Sequence, residues 1–519
     1  MPVAGLVKRN TYRDSVALMA LSARVAQAGG VTQASVVMGT PANLEILAAT
    51  GLLAPELAGA GPNDLLIAVE AGGEAELGAA LAAAEALLAS SGTRRESGFA
   101  AESAPRSVAS AVRARPDANI ALISVPGEYA AAEASAALMR GMHVFLFSDN
   151  VPLDDEVALK RFGAERGLLV MGPDCGTALV AGAPLGFANA VRRGSVGIVA
   201  SSGTGLQEVS SQIHRLEGGV SHALGTGSRD LSAAVGGMSF MMALDALAAD
   251  AGTDVLVLIA KPGAPEVQEH IYRRLATIGK PVVLFFLGET ALVPGGPRVT
   301  VAANLQHAAQ CAVALGDGAA PPSAEPIARQ ASALAARLLD GIGPRQRRVV
   351  GLFAGGTLGQ EAAGAIGAAL GRSDAQHGTE PGSLLDLDGH LVLDLGDDTY
   401  TRGRPHPMID PRMRNERLLQ EAARGDVALF VLDVVLGYGA HPDPAAAMQS
   451  ALVQTRAFAE EVGATLRVLV SITGTDDDHQ DLAKQTLALE KIGVVVAPSS
   501  SVAALAAGVV AARLGGQTR

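Results

Sequence analysis

The chain has 519 residues, a formal net charge of −12, 49% hydrophobic and 18% charged residues, no Trp and two cysteines, Cys175 and Cys311. The acidic balance argues against a nucleic-acid binder and against an anionic membrane surface, so an anionic ligand must be held by local dipoles and a few arginines. Two cysteines exclude a disulfide framework and thiolate metal clusters, no apolar run reaches the roughly 20 residues that span a bilayer, and the opening "MPVAGLVKRN" lacks a signal-peptide core, which together predict a cytoplasmic protein.

In chain order, short β-branched runs alternate with alanine-rich helical stretches: "ASVVMG" at 34, "DLLIAVEA" at 64, "NIALISVPG" at 119, "HVFLFSDN" at 143 and "GLLVMGPD" at 167. The series continues with "SVGIVASSG" at 195, "DVLVLIAKPG" at 254, "PVVLFFLG" at 281, "RVVGLFAGG" at 348, "VALFVLDV" at 427, "LRVLVSITG" at 466 and "GVVVAPSS" at 493. Continuous apolar strands separated by helices predict an α/β protein of several Rossmann-like and flavodoxin-like parallel-sheet domains in series, with functional groups at the carboxyl ends of strands. A Gly-, Ser- and Arg-rich stretch before residue 107 and the Pro/Ala-biased "LGDGAAPPSAEPIARQ" at 315 mark linkers; boundaries are expected near 97, 192 and 322.

At 196, "VGIVASSGTGLQEVSSQI" runs from a strand through Ser201, Ser202, Gly203, Thr204 and Gly205 into a helical pattern. Glycines let the backbone approach a ligand, and the N–H groups and dipole of a starting helix favour an anion, so phosphate is the first candidate. The alternative is an ordinary helix cap. The same strand, small-residue turn and helix recur at "FAGGTLGQEAAGAI" from 353 and "VLGYGAHPDPAAAM" from 435, which favours an anion site.

The order "MGPDCGT" at 171, "VGIVASSGTGLQEV" at 196 and "LGTGSRDL" at 224 resembles the α subunit of succinyl-CoA synthetase, and "DLGDDT" at 394, "LFVLDVVLGYG" at 429 and "SITGTDDDHQDLA" at 471 resemble the ligase domain of its β subunit. Both halves in one chain, without an ATP-grasp domain between them, resemble the FdrA family. The resemblance implies an N-terminal α/β domain at 1–97, a CoA-binding-like Rossmann domain at 98–192, and flavodoxin-like domains at 193–322 (α-like) and 345–519 (β-ligase-like). In the synthetases two helix N-termini, one from each subunit, point at the phosphate of a phosphohistidine. The matching turns are expected to be Ser201–Gly205 and Gly437–His441, with Gly437, Tyr438 and Gly439 joining the first loop around phosphate, so that Ser202 and Gly437 face one cavity. Gly172, Pro173 and Asp174, with Asp397 and Arg402, are the substrate-binding candidates.

The departures from that pattern shape the expected chemistry. The glycine–histidine–alanine–glycine–alanine loop should follow "VVLFFLGETA", but the chain continues "LVPGGPRVTVAANLQHAAQCAVAL". Its nearest histidine, His307, lies three positions after Asn304, a good N-cap, and reads as a first-turn helix residue. Lys261 stands where the synthetases carry the carboxylate that steadies the phosphohistidine, which suits an anionic substrate. Residues 1–97 hold no G-x-G-x-x-G for CoA, although "FSDNVP" and "MGPDCGT" keep the form of loops around a CoA tail, so CoA stays open.

Phosphate is therefore expected as a reactant, with Lys261 and Arg229 as the catalytic cations. The resemblance implies a subunit of an oxamate-type carbamoyltransferase, moving a carbamoyl group to or from phosphate. Its partners would be a small anion of the carbamoyl phosphate, oxamate or acyl phosphate class and further protein subunits, with a homo-oligomer left open. The alternatives are an acyl-CoA ligase of the synthetase type, or a non-catalytic scaffold or ligand sensor.

Three other features carry two readings each. "GRPHPMIDPRMRNERL" at 403 holds His406, Asp410 and several arginines in a functional loop or a structural turn. Asp476, Asp477, Asp478 and His479 are dipole partners of a helix start, or ligands of a divalent ion; the first is favoured and no metal is expected. Cys175, in "GPDCGT", is a buried inert thiol or a nucleophile.

Overall fold

The computed structural model describes residues 1–92, 105–288, 298–372 and 378–516, apart from 12, 14, 262, 403 and 462. The chain divides into two compact units. One comprises Met1–Ala118, Ser124–Pro126 and Asp398–Asp410; the other comprises Asn119–Ile123, Gly127–Asp397 and Pro411–Arg519.

The first unit carries β1 (Val3–Lys8), α1 (Ser15–Ala26), β2 (Val31–Met38), α2 (Pro41–Ala49), β3 (Leu65–Ala71), α3 (Glu74–Gly92) and α4 (Val108–Ala114). Its sheet is antiparallel, in the order β1-β3-β2. The two-residue period of the central strand divides its side chains between two cores. Leu65, Ile67 and Val69 pack with Leu18, Val25, Leu77 and Ala84, while Leu66 and Ala68 pack with Leu47, Leu52 and Leu57. The "MGTPANLEIL" segment is a capped helix start: Thr40 accepts from the Asn43 N–H, with Pro41 in the first turn.

The second unit begins with β4 (Ile120–Ile123), α5 (Gly127–Leu138), β5 (His143–Leu146), α6 (Leu153–Ala164) and β6 (Val170–Met171), whose strands form a parallel sheet in the order β4-β5-β6. The hairpin β7 (Thr177–Val180) and β8 (Ala183–Gly186) then joins the next sheet, antiparallel to it. That sheet is built from β9 (Arg193–Ala200), α7 (Gly203–Arg215), β10 (Val220–Gly225), α8 (Met238–Ala249), β11 (Val255–Ala260), α9 (Pro265–Leu275), β12 (Val282–Phe286) and β13 (Val299–Val301). Helices α10 (Leu305–Gly316) and α11 (Glu325–Leu339) follow.

The last sheet is built from β14 (Arg348–Phe353), α12 (Gly356–Ala369), β15 (Ser383–Leu387) and β16 (His390–Asp394). After α13 (Asp398–Thr401), which belongs to the first unit, come α14 (Arg412–Ala422), β17 (Val427–Val435), α15 (Pro444–Glu461), β18 (Arg467–Thr473), α16 (Leu482–Lys491), β19 (Val495–Ala497) and α17 (Ser500–Gly516).

The two large sheets run in the orders β13-β12-β11-β9-β10-β7-β8 and β15-β16-β14-β17-β18-β19. Apart from the β7–β8 hairpin and β15 they are parallel. Strands β11, β12, β14 and β17 are buried throughout, as the continuous apolar runs require of strands covered on both faces. In each sheet the strand order reverses about the first strand: β10 lies on one side of β9 and β11 on the other, and β16 and β17 flank β14 in the same way. Ligands of open α/β sheets bind outside the carboxyl ends of strands at such reversals.

Helix α7 leaves the β9 reversal and is itself buried from Gly205 to His214 although more than half of that stretch is polar. Its polar groups are satisfied across the boundary between the two sheets' layers. Glu208 accepts from the Ser500 N–H and from Thr473 Oγ1, and Arg215 donates to the carbonyls of Ile472, Gly474 and Pro498. Glu361 of α12 reciprocates, accepting from the Leu305 N–H at the start of α10. Each half thus lends a carboxylate to the N-terminus of a helix in the other.

Candidate functional site

Both reversal strands end in small residues because the chain turns directly into a helix. After Ala200, the Ser201 N–H donates to the Ile259 carbonyl of the neighbouring strand at 3.0 Å, and Ser202 caps α7 by accepting from the Gly205 N–H at 2.9 Å. After Phe353, the Ala354 and Gly355 N–H groups donate to the two oxygens of Asp433 at 2.8 and 2.7 Å, and α12 starts at Gly356 with no side-chain cap. The two starts meet: Ser202 Oγ and Thr357 Oγ1 lie 2.6 Å apart, both side chains buried. A Cβ on Gly355 would press on the Thr204 side chain, so glycine is what lets the two turns come together.

Lys261 follows β11, next to β9, and Asp394 ends β16, next to β14. A Cβ on Gly356 would overlap Asp394 Oδ2 and lie 3.6 Å from Lys261 Nζ, so ammonium and carboxyl converge on the first residue of α12. Among the described residues no side chain pairs with Lys261, which is half-buried. Burial pushes the Asp394 carboxyl up to about 7, against the pull of Lys261 and of the Gly396 N–H that Oδ1 accepts at 2.9 Å. Thr177, 1% exposed, adds a hydroxyl that has no partner among the described residues and sits 3.5 Å from where a Cβ of Gly203 would be. Two helix N-termini, the Lys261 ammonium and a spare buried hydroxyl lie around this junction beside Asp394, a donor-rich arrangement whose chemistry suits an oxyanion.

The expected partner turn of Ser201–Gly205 is corrected. The loop at 437 does not open a helix; α15 begins at Pro444. Gly437 (φ 103°) is held by Gln480, whose amide accepts from its N–H and donates to its carbonyl, and a Cβ there would strike the Ala188 carbonyl. Tyr438 bridges to Ala188, and Gly439 packs beside Phe187. This turn grips the 186–189 segment, whereas Thr357 of the "FAGGT" turn meets Ser202.

Arg229 is placed elsewhere too. It donates to Glu156 Oε2 and to the Val151 carbonyl, beside a fully buried Lys160 that bridges Glu156 at 2.8 Å and Asp230 at 2.7 Å. Gly172, Pro173 and Asp174 form a turn against the same 225–230 loop: Gly227 packs on Pro173, and Ser228 Oγ donates to Asp174 at 2.7 Å. Asp397 lies three residues beyond Asp394 and adds its charge to that carboxyl's surroundings. Arg402, with His406 and Asp410, belongs to the first unit.

Burial pushes the Cys175 thiol up to about 12, which leaves it no nucleophilic thiolate. His307 sits in the first turn of α10, its backbone N–H donating to Asn304 Oδ1; Nδ1 accepts from the Ala303 N–H and Nε2 lies 2.9 Å from the Pro322 carbonyl. Asp478 accepts from Asn189 Nδ2, the Ala190 N–H and the Thr475 N–H, each at 2.8 Å, and so ties 189–190 to the end of β18. Among the described residues no group of three or more His, Cys, Asp and Glu side chains is arranged for a metal ion. No described helix is long and apolar enough to cross a membrane.

Comparison with known proteins bears on the whole chain. The "AllF, heavy metal-associated domain" family matches residues 1–105, the "CoA binding domain" family 191–288 and the "CoA-ligase" family 352–510. The Escherichia coli (strain K12) protein YahF is 41% identical over 509 residues, covering 96% of this chain and 97% of its own length. The chain belongs to the FdrA family. Within the succinyl-CoA synthetase superfamily, this FdrA-family chain is 28% identical to the α subunit of a succinate–CoA ligase of Methanothermobacter thermautotrophicus over 186 residues, 35% of this chain and 61% of that one. A dinucleotide-forming acetyl-coenzyme A synthetase 1 of Candidatus Korarchaeum cryptofilum aligns over 77% of this chain and 85% of its own, with 17% identity and a TM-score of 0.29. The FdrA-family match at 191–288 falls on the segment that starts α7, and that at 352–510 on the segment that starts α12, so the two meeting helices come from two families joined in one chain.

Thr357, Asp394 and the Asp433–Arg414 pair were not singled out from the sequence. A signal was present: Asp433 is an acid inside the buried run "VALFVLDVV", and an acid in such a strand needs dedicated partners. It has them, since buried Arg414 donates to it at 2.9 Å.

Proposed function

We propose that the chain is a subunit of a carbamoyltransferase that moves a carbamoyl group to or from phosphate at the junction of α7 and α12. The observation that carries this reading is Lys261: a half-buried ammonium at the start of α12, whose Thr357 touches Ser202, the cap of α7, at 2.6 Å. The acid nearest Lys261, Asp394, is held up near 7 by burial and so balances the ammonium only in part at neutral pH, and oriented N–H donors in a shielded site are the form of charge stabilisation worth most to a transition state. His307 is engaged on both ring nitrogens, which favours phosphate as a reactant over phosphate carried on histidine. The reading includes further protein subunits. Arg229, expected as a catalytic cation, is occupied by Glu156, so the carboxylate of the second substrate needs a group from elsewhere.

Release of phosphate from carbamoyl phosphate, dependent on added oxamate, tests the reading with the full chain alone and with the products of neighbouring genes. The CoA binding domain match favours one competitor, an acid–thiol ligase. Acyl phosphate and CoA in parallel reactions separate the two. Thioester formation with no carbamoyl transfer in any combination would replace the first reading by the second.

A further inference from the structure

Two aspartates flank the turn that starts α12, one from each strand beside β14. Asp433, on β17, is spent on structure: Oδ1 accepts from the Ala354 N–H and Arg414, and Oδ2 accepts from the Gly355 N–H. Asp394, on β16, accepts one N–H, from Gly396, through Oδ1. Its Oδ2 takes no hydrogen bond from the described residues and occupies the space that a side chain at Gly356 would need, on the side where Lys261 Nζ lies. A carboxylate serving only the helix dipole would take first-turn N–H groups, as Asp433 does for the preceding residues. Asp394 holds its second oxygen away from them, at the junction of both helices.

We propose that Asp394 is the proton carrier of this site, delivering a proton to the nitrogen that leaves the carbamoyl carbon. The inference rests on the phosphate reading above and deepens it. The substrate class is an N-carbamoyl amide. A phosphate oxygen attacks the carbamoyl carbon, a C–O bond forms and the C–N bond breaks. The electron pair of that bond goes to nitrogen, which takes the proton from Asp394; the carboxylate then recovers a proton from the hydroxyl of the attacking hydrogen phosphate. The products are the free amide and carbamoyl phosphate, and in reverse Asp394 removes the amide proton. The groups that face it are Lys261 from β11, Asp397 on its own loop and Asp433 from β17. A carboxyl held near 7 by burial is matched to both directions at neutral pH.

Sulfate, a dianion across the neutral range, is the probe for a titration calorimetry test of the full chain at pH 7 in buffers of different ionisation heat. A dianion at the helix starts raises the affinity of Asp394 for its proton, so sulfate binding should be accompanied by proton uptake in the native protein and by none in Asp394→Asn. Competition by phosphate reports the phosphate reading separately. Phosphate competition with equal proton uptake in native protein and variant would overturn the role of Asp394 and leave that reading standing; failure of both anions to bind would overturn both. In the turnover assay Asp394→Asn should lose about 10²- to 10⁴-fold, the usual contribution of a general acid or base, and the residual rate should lack the limb near pH 7. A variant with a native rate and pH profile would also overturn the proposal.

Discussion

At the scale of single residues, Lys261 and two glycines separate binding from folding. Lys261 makes no ion pair with the described residues, so Lys261→Ala should leave thermal stability near that of the native chain. It should weaken phosphate binding by about 1.5 to 3 kcal/mol, roughly ten- to a hundredfold, in calorimetry. Gly203 has no positive φ and only the Thr177 hydroxyl within 3.5 Å of a potential Cβ, so Gly203→Val should fold and lose phosphate affinity. Gly437→Val should behave otherwise. With φ at 103° and the Ala188 carbonyl in the way, it should cost on the order of 1–3 kcal/mol or more in stability, visible in denaturant melts. Equal effects of the two valines on phosphate binding, with stability unchanged in both, would restore the 437 turn to the anion site.

At the scale of elements, the crossed caps make the joint between halves sensitive to pH. Burial pushes the Glu361 carboxyl up to about 7, although Ser500, Ser501 and the Leu305 N–H all donate to it, and Glu208 lies near enough to raise it further. A carboxyl raised in the folded state contributes stability that is complete below its unfolded value, 4.5, and is lost as pH rises through about 7. Urea melts between pH 5 and pH 8.5 should therefore show the native chain losing up to about 3 kcal/mol relative to Glu361→Gln, whose amide does not titrate. Parallel pH profiles for the two proteins would show that Glu361 is not the group responsible.

These elements also show what a sequence yields. Apolar runs identified β9, β11 and β12 of one large sheet and β14, β17, β18 and β19 of the other, whereas the β7–β8 hairpin and the strands β10, β13, β15 and β16 were not read, and the small-residue turns at 201 and 353 stood out as helix starts. Which turn faces which was not legible. "FAGGT" and "VLGYGAHP" look alike along the chain, and only the strand order sends the first to Ser202 and the second to Ala188. Asp394 was hidden for the same reason, since its neighbours Lys261 and Gly356 stand 133 and 38 positions before it.

At the scale of the molecule, α7 ties the two sheet layers of the second unit together, because its buried Glu208 and its Arg215 find their hydrogen-bond partners in the other layer. The connection between them is exposed at residues 316–323. Expressing residues 1–319 and 320–519 as separate chains should therefore give fragments that purify as a one-to-one complex, and a tag on either fragment should retain the other. Independent, monomeric fragments would show that the buried polar surface does not hold the halves together.

The bond between Ser202 and Thr357 sets a threshold for occupancy. One of the two hydroxyls donates to the other, and Ser202 Oγ also accepts from the Gly205 N–H, so a ligand that reaches between them must replace a contact that exists. A neutral molecule or a weakly hydrogen-bonding monoanion such as chloride has too little to offer in exchange. On the phosphate reading, a tetrahedral dianion would accept from both hydroxyls and from the helix starts behind them, and the latch would act as a filter that opens to charge density.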